Sequence, residues 1–176
     1  MPDEARLEDR DDGRIATTDG WYVLHAADAQ WFESKKYGSV CRLEGEARFP
    51  HIGVNIRVLE PGQPACLYHR ENAQEDFLVL SGECLLLVNG EEKALKAWDF
   101  VHCPPGVSHV FLGAGDGPCA LLSIGHRPAD HQLFYPESEL ARRHGAETPE
   151  PTPDPRVAYA DLAPRERIDA PDWPMK

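Results

Sequence analysis

The sequence predicts an all-β protein, a sandwich or barrel of short strands, and three observations lead to this prediction. Apolar residues alternate with glycine or polar residues over positions 52–58, which is the two-residue period of a strand. Asn89-Gly90 is a strong hairpin signal, because both central residues of such a turn favour positive φ. Turn residues also recur at intervals of about 8–12 positions through the middle of the chain, as they do in sandwiches and barrels.

The predicted strands follow one another between these turns. A first strand and a cover over one end of the core are expected at 21–24 and at Trp31-Phe32. After the alternating strand at 52–58, further strands are predicted at 65–71, 77–80, 84–88, 95–103, 109–112 and 119–124. We find no internal repeat in the sequence, so we expect one barrel per chain.

Composition divides the chain into three regions. Residues 1–20 contain seven acids and three arginines but almost no apolar residue, so we expect a disordered acidic tail there. Residues 21–125 form the predicted barrel domain. Residues 126–176 form a proline-rich C-terminal arm, which holds nine of the sixteen prolines.

The C-terminal arm is expected to be partly helical. Residues 136–145 predict a short helix with Ser138 as its cap and Gly145 at its end, and a weaker helical segment follows at 156–163. The arm has aromatic residues but no core of its own, so we expect it to lie against the barrel or a partner subunit. These aromatic residues are Phe134, Tyr135, Tyr159 and Trp173.

The overall charge limits the partners of the protein. The chain has 30 acidic and 18 basic residues, a formal net charge of −12, which argues against a nucleic-acid-binding surface. No apolar run approaches the length of a membrane span, and the acidic N-terminus is unlike a secretory signal, so we expect a cytoplasmic protein without membrane contact. The five cysteines show no CxxC spacing, which favours buried, reduced thiols over disulfides or a thiolate zinc site.

Four residues are candidates for one metal site: His69, Glu71, Glu75 and His109. His69 and Glu71 are two positions apart on a predicted strand, so their side chains point to the same face. Residues 72–74 can reverse the chain and bring Glu75 beside them, while His109 begins another strand after a Pro-Gly turn. Imidazoles and carboxylates that converge on one point suit zinc, manganese, iron, nickel or copper.

The spacing of these residues resembles the two sequence motifs of the cupin family, over residues 61–125. The matching positions are Gly62, His69-Arg70-Glu71, Glu75 and Gly82 in the first motif, and Trp98-Asp99, Pro104-Pro105-Gly106, His109 and Gly113 in the second. The resemblance implies a double-stranded β-helix, or jelly roll, that holds one divalent metal ion (zinc, iron, manganese or nickel) and is commonly dimeric. We therefore expect a homodimer, also because Leu78 and Leu80 lie in a strand that is apolar on both faces.

Two positions depart from the family pattern. Glu71 stands where a second histidine is usual, and Gly113 stands in the place of an asparagine. Glu71 is therefore either a fourth metal ligand or, if it binds no metal, a catalytic general base. An alternative alignment would put Tyr68 and Arg70 in the histidine positions and leave no His-x-His ligand, but the six-residue step from His69 to the motif glutamate favours the first alignment.

Function is predicted only in outline. The first hypothesis is a small metal-dependent enzyme that acts on a small molecule in the barrel mouth, and the resemblance permits dioxygenase, isomerase or lyase chemistry. The second is a non-catalytic metabolite- or sugar-binding protein whose metal is structural or absent. Among the other histidines, His102 is expected in the core or as a donor to the site. The rest have no motif partner and are expected at the surface or in local hydrogen bonds: His25, His51, His126, His131 and His144.

Overall fold

The computed structural model describes residues 1–172, which form fourteen strands and two short α-helices. The strands are β1 (Leu7–Arg10), β2 (Gly13–Ala16), β3 (Gln30–Ser34), β4 (Gly38–Arg42), β5 (Ile52–Leu59), β6 (Arg70–Glu71), β7 (Glu75–Ser81), β8 (Glu83–Val88), β9 (Glu91–Lys96), β10 (Phe100–Cys103), β11 (His109–Ala114), β12 (Cys119–His126), β13 (Leu133–Phe134) and β14 (Glu166–Ile168). The helices are α1 (Glu139–Arg143) and α2 (Pro155–Ala158). The prediction of an all-β protein with a partly helical C-terminal extension is confirmed.

Two antiparallel sheets pack on a shared core. The larger sheet has the order β10-β7-β12-β5-β4-β3-β14, and the smaller has the order β11-β8-β9. Buried side chains from both sheets meet between them, among them Leu59, Val79, Leu86, Phe111 and Leu121. Because β12 lies between β5 and β7, strands that are far apart in the sequence are neighbours in the sheet. This is the double-stranded β-helix that the sequence predicts.

Strand β5 alternates as its sequence predicts, and its two faces have different environments. Gly53, Asn55 and Arg57 line a cavity inside the barrel. Val58, on the other face, packs in a second apolar layer around Trp31. The polar face therefore points inward, because the barrel encloses a cavity at this end rather than a continuous apolar core.

The hairpin at Asn89-Gly90 is confirmed. Asn89 has φ 47° and Gly90 has φ 85°, the left-handed values that this turn requires. The turn joins β8 and β9, and Val88 lies opposite Glu91. Two other predicted strands are interrupted. Residues 65–71 are a regular strand only at β6, and residues 95–103 are divided between β9 and β10 by a turn in which Trp98 has φ 74°.

The N-terminal segment differs from the disordered tail expected for residues 1–20. β1 and β2 pair as a hairpin, and Ile15 and Ala16 on β2 are buried. The charges of the hairpin are partly paired, since the Arg14 Nε donates to Asp9 at 2.6 Å. Composition missed this hairpin because its few apolar residues are enough to dock one face, and its acids are matched by nearby arginines. The region boundaries inferred from composition stay a prediction.

Of the two places expected for the first strand and the cover over the core, only Trp31-Phe32 has this role. Residues 21–24 form no strand, and Trp21 is 55% exposed. Trp31 on β3 is instead 1% exposed, and its indole N–H donates to the Ala26 carbonyl oxygen at 2.8 Å. The buried donor is thus satisfied, which allows a large indole ring in the core.

The C-terminal arm lies against the barrel, one of the two places expected for it. Tyr135 and Tyr159 pack with Tyr37 and Leu67, and the Leu67 N–H donates to the Tyr159 hydroxyl at 3.1 Å. The expected cap of α1 is present, because Ser138 Oγ accepts a hydrogen bond from the backbone N–H of Ala141, the third residue of the helix. Trp173 lies outside the described residues.

Within residues 1–172, no helix is long and apolar enough to cross a membrane.

Candidate metal centre

His69 and His109 lie opposite each other on neighbouring extended segments inside the barrel. The His109 N–H donates to the His69 carbonyl oxygen at 2.8 Å, and the reverse hydrogen bond is 3.2 Å long. The two ring centroids are 5.2 Å apart. His109 is 2% exposed, and the His69 side chain is 12% exposed. Backbone pairing therefore holds two imidazoles together that are far apart in the sequence.

Both imidazoles turn the same ring nitrogen towards the cavity. His69 Nδ1 lies 2.9 Å from the Leu67 carbonyl oxygen, and His109 Nδ1 lies 3.1 Å from the Val107 carbonyl oxygen. Since a carbonyl oxygen only accepts hydrogen bonds, each Nδ1 carries the proton in these contacts. The lone pair of each neutral ring is then on Nε2, the nitrogen available to a metal ion.

Glu75, the first residue of β7, faces both Nε2 atoms. Its Oε2 lies 3.5 Å from His109 Nε2 and 3.9 Å from His69 Nε2. The ligand atoms of the three residues all lie within 4.8 Å of one another. Two donors on a tetrahedral ion, with bonds of about 2.1 Å, are about 3.4 Å apart, so only small movements would bring these three donors onto one ion.

Glu71 lies at the edge of this cluster and is held by another residue. Its Oε1 is 3.6 Å from His69 Nε2, whereas its Oε2 is 2.8 Å from His131 Nε2. Strand β13 pairs with β6, with Leu133 opposite Glu71, and this pairing carries His131 to the cavity. The sequence predicts His131 at the surface or in a local hydrogen bond, but it does not predict Glu71 as the partner, because no motif indicates where the C-terminal arm lies.

Burial and charge shift the protonation of these groups. Burial raises the pKa of Glu75 to about 7 and lowers the pKa of His109 to about 4. Burial also opposes a charge on His69, but Cys66, Glu71 and Glu75 outweigh it and raise the pKa of His69 well above its usual value. The pocket therefore favours a positive charge on His69, beside the two carboxylates, whereas burial disfavours one on His109.

The sequence around this site matches a known family. The family model of the cupin domain matches residues 55–125. This chain has a cupin domain. The cupin resemblance inferred from the two motifs is thereby confirmed. An uncharacterized protein of Methanocaldococcus jannaschii is 23% identical over 103 residues, which cover 55% of this chain and 80% of that protein.

Solved structures share the fold of the cupin domain. A sugar phosphate isomerase of the cupin superfamily from Silicibacter pomeroyi has a TM-score of 0.58 to this chain, at 24% identity over 67% of this chain and 83% of its own. A protein from Acidithiobacillus ferrooxidans is 27% identical over 47% of this chain, with a TM-score of 0.45. This chain spans about half of that protein, 55% of its length.

The cavity of the cupin domain has a volume of about 290 Å³ and has apolar and polar walls. Phe77, Phe111 and Leu121 form its apolar part, and Asn55 and Ser123 add polar groups. Among the described residues, the buried Oδ1 of Asn55 has no hydrogen-bond partner. An unpartnered buried polar atom costs free energy, so a bound molecule that donates a hydrogen bond to it would be stabilised.

Three other candidates from the sequence lie outside the cavity. Tyr68 is buried in a separate apolar cluster, and the Arg70 guanidinium lies 4.8 Å from the centre of the Phe134 ring. Neither residue of the alternative alignment therefore reaches the cavity. The expectation for His102 was wrong, because its side chain is 51% exposed and its Nδ1 lies 2.7 Å from Asp76 Oδ1 on the outside of the barrel.

The donor set of this centre fits a divalent metal ion. Two imidazoles and one carboxylate suit iron, zinc, manganese and nickel, whereas the set contains no thiolate to select a softer metal. Cys66 Sγ does approach His69, but it lies 3.7 Å from Nδ1, on the side of the ring away from the cluster. The Nδ1 contacts and the spacing of His69, Glu75 and His109 agree with a cation site.

Proposed function

We propose that the cupin domain holds one divalent metal ion on His69, Glu75 and His109 and binds a small molecule beside it. The proposal is carried by the convergence of two Nε2 lone pairs and one carboxylate on a single point inside a cavity of about 290 Å³. Zinc, iron, manganese and nickel accept this donor set. When bound, such an ion can polarise a carbonyl group or lower the pKa of a coordinated water.

The protein side chains would orient the small molecule. Phe77 and Phe111 offer an apolar surface, and the unpartnered Oδ1 of Asn55 offers a hydrogen-bond acceptor on the same sheet face as Phe77, because both residues lie opposite Ser123. A molecule of mixed polarity therefore suits the cavity better than a hydrocarbon.

We assign Glu71 a position beside the metal rather than on it. Its Oε2 is held by His131, which leaves Oε1 facing the cavity as a hydrogen-bond acceptor. In this position the carboxylate can accept a proton from a bound molecule, the general-base alternative of the sequence analysis. Replacement of Glu71 by Gln removes that capacity but keeps the shape of the side chain.

Titration with Co²⁺ tests these assignments, because its visible absorption reports coordination directly. Chelator-treated protein is expected to bind about one Co²⁺ per chain, and Co²⁺ should raise the melting temperature, as ligand binding to the folded state requires. Glu75→Gln and His109→Ala should lose this binding, whereas Glu71→Gln should keep it. His51→Ala is the matched control, since the His51 side chain is exposed and does not line the cavity.

Two outcomes would change the proposal. Equal Co²⁺ affinity in the wild-type protein and in a folded His109→Ala variant would contradict the metal site. Loss of Co²⁺ in Glu71→Gln would make Glu71 a fourth ligand instead of a neighbouring acceptor. Circular dichroism of each variant separates lost ligands from lost folding.

A further inference from the structure

A second cavity, of about 760 Å³, lies beside the first and is strongly basic. Seven arginines line it, together with two acids, Glu44 and Glu46. This balance is unexpected in a chain with a formal net charge of −12. We call this cavity the arginine groove.

Three of these arginines are neutralised by carboxylates. Arg127 donates to both oxygens of Glu44, at 2.6 and 2.8 Å. The Arg10 Nη2 lies 2.6 Å from Glu46 Oε1, which engages the second acid of the groove. Arg167 forms an ion pair with Asp12 of the N-terminal hairpin. Both acids that line the groove are therefore already bound.

The other four arginines of the groove form no ion pair within the described part of the chain: Arg42, Arg48, Arg57 and Arg165. Arg57 is fixed by a hydrogen bond from its Nη1 to the Ala65 carbonyl oxygen at 2.8 Å. Arg165 lines the same groove, and its pKa is lowered first by desolvation and then by the repulsion of the Arg57 charge. An anion between them would relieve this repulsion and fill their remaining donors.

The arginine groove is continuous with the candidate metal cavity. Four residues line both: Gly53, Asn55, Arg57 and Arg127. The strand register explains the connection, because Glu75 lies opposite Gly125, which lies opposite Gly53. Asn55 follows on the same face, two positions along β5, and lies opposite Arg42 on β4. One face of the sheet thus leads from the metal candidate to the arginines, and the Arg127 guanidinium lies over Gly53 between them.

We propose that the arginine groove binds the phosphate group of a small molecule whose other end reaches His69, Glu75 and His109. The second half of this statement rests on the proposed function; the phosphate site itself does not. A phosphate is favoured over a carboxylate because one guanidinium can satisfy a carboxylate in bidentate fashion, whereas four unpaired guanidiniums match a dianion with more acceptor atoms. Asn55, between the two sites, is placed to contact the middle of such a molecule.

Isothermal titration of inorganic phosphate into chelator-treated protein, at fixed ionic strength, tests the groove without a metal ion. We expect saturable binding of about one phosphate per chain, with acetate much weaker. Arg165→Gln should weaken phosphate binding by about tenfold, the effect of losing a charged hydrogen bond, and Arg57→Gln should do the same. Arg143→Gln is the matched control, because Arg143 is exposed on α1 away from the groove. It should bind phosphate like the wild type.

The outcomes separate this proposal from the metal proposal. Absence of saturable phosphate binding, or equal binding by Arg165→Gln and Arg143→Gln, would overturn the groove assignment. Acetate binding as tight as phosphate binding would overturn the choice of phosphate. The His69→Ala/His109→Ala variant should keep its phosphate affinity while losing Co²⁺. Since Arg57 is partly buried, Arg57→Lys serves as a second variant, and circular dichroism of Arg165→Gln separates lost binding from lost folding.

Discussion

The ion pair between Glu44 and Arg127 is predicted to stabilise the wall shared by the two cavities. Arg127 follows β12 and donates to Glu44, in the loop after β4, and also to the Phe49 carbonyl oxygen at 2.8 Å. The two side chains are only 29% and 14% exposed. Exposed pairs contribute about 0–1 kcal/mol, whereas removing one partner of a buried pair costs about 3–5 kcal/mol. For this half-buried pair we expect Arg127→Gln to lower the free energy of unfolding by about 2–3 kcal/mol.

The pH dependence gives this prediction a sign. Burial opposes ionisation of Glu44, but the hydrogen bond from Arg127 outweighs it, and the pKa of Glu44 is lowered. A carboxylate with a lowered pKa in the folded state contributes stability above its unfolded pKa, and this contribution is lost as the pH falls through the folded value. The stability difference between wild type and Arg127→Gln should therefore be full at pH 7 and shrink as the pH falls below 4.5, the usual pKa of a glutamate, and through the lowered pKa of Glu44.

Urea unfolding followed by circular dichroism measures this difference at each pH. Arg156→Gln is the control, since the Arg156–Asp154 pair has side chains that are 89% and 34% exposed. Loss of this exposed ion pair in Arg156→Gln should change the free energy of unfolding by less than about 0.5 kcal/mol. The reasoning is refuted if Arg127→Gln is as stable as the control variant at pH 7, or if its deficit is the same at both ends of the pH range.

Three further predictions concern the barrel. Gly90→Ala should destabilise the protein by about 1–2 kcal/mol in thermal unfolding, because alanine is strained at φ 85°. Gly117→Ala is the control and should be neutral, because φ is not positive at Gly117 and the space around it is open. Equal effects of the two substitutions would contradict the turn argument. Trp31→Phe should cost about 1–3 kcal/mol in urea unfolding, because the Ala26 carbonyl oxygen loses its buried donor, and an unchanged midpoint would contradict this. The homodimer stays a prediction. Phe100 on the edge strand β10 is 65% exposed, so sedimentation should give a mass of two chains that Phe100→Glu reduces to one, and a one-chain wild-type mass would refute the dimer.

The sequence predicted those parts of the fold that depend on local patterns. Asn89-Gly90 requires positive φ by its chemistry, and the two-residue period of β5 requires opposite faces, so both follow without tertiary information. Which face of β5 points inward could not be predicted, because Val58 packs against a second apolar layer built from β3. The N-terminal hairpin was missed because its docking depends on a few buried contacts, such as that of Ile15, and not on composition.

The candidate site was predictable where a motif fixes the spacing and not elsewhere. His69, Glu75 and His109 were expected to converge, and their ligand atoms lie close together. His131 could not be found, because it reaches Glu71 through a pairing between β13 and β6 that only the tertiary path of the arm decides. The arginine groove was missed for the same reason. Its seven arginines come from β1, β4, β5, β14 and three connecting segments, and no sequence window contains more than a few of them.

The central claim is that His69, Glu75 and His109 hold one metal ion. The most direct test is the metal content of purified wild-type protein by plasma mass spectrometry, beside the His69→Ala/His109→Ala variant. We expect about one zinc, iron, manganese or nickel ion per chain in the wild type, and none in the folded variant. Absence of bound metal in the wild type, even after incubation with each of these ions, would contradict the account. The same residues would then form the polar wall of a metal-free binding cavity.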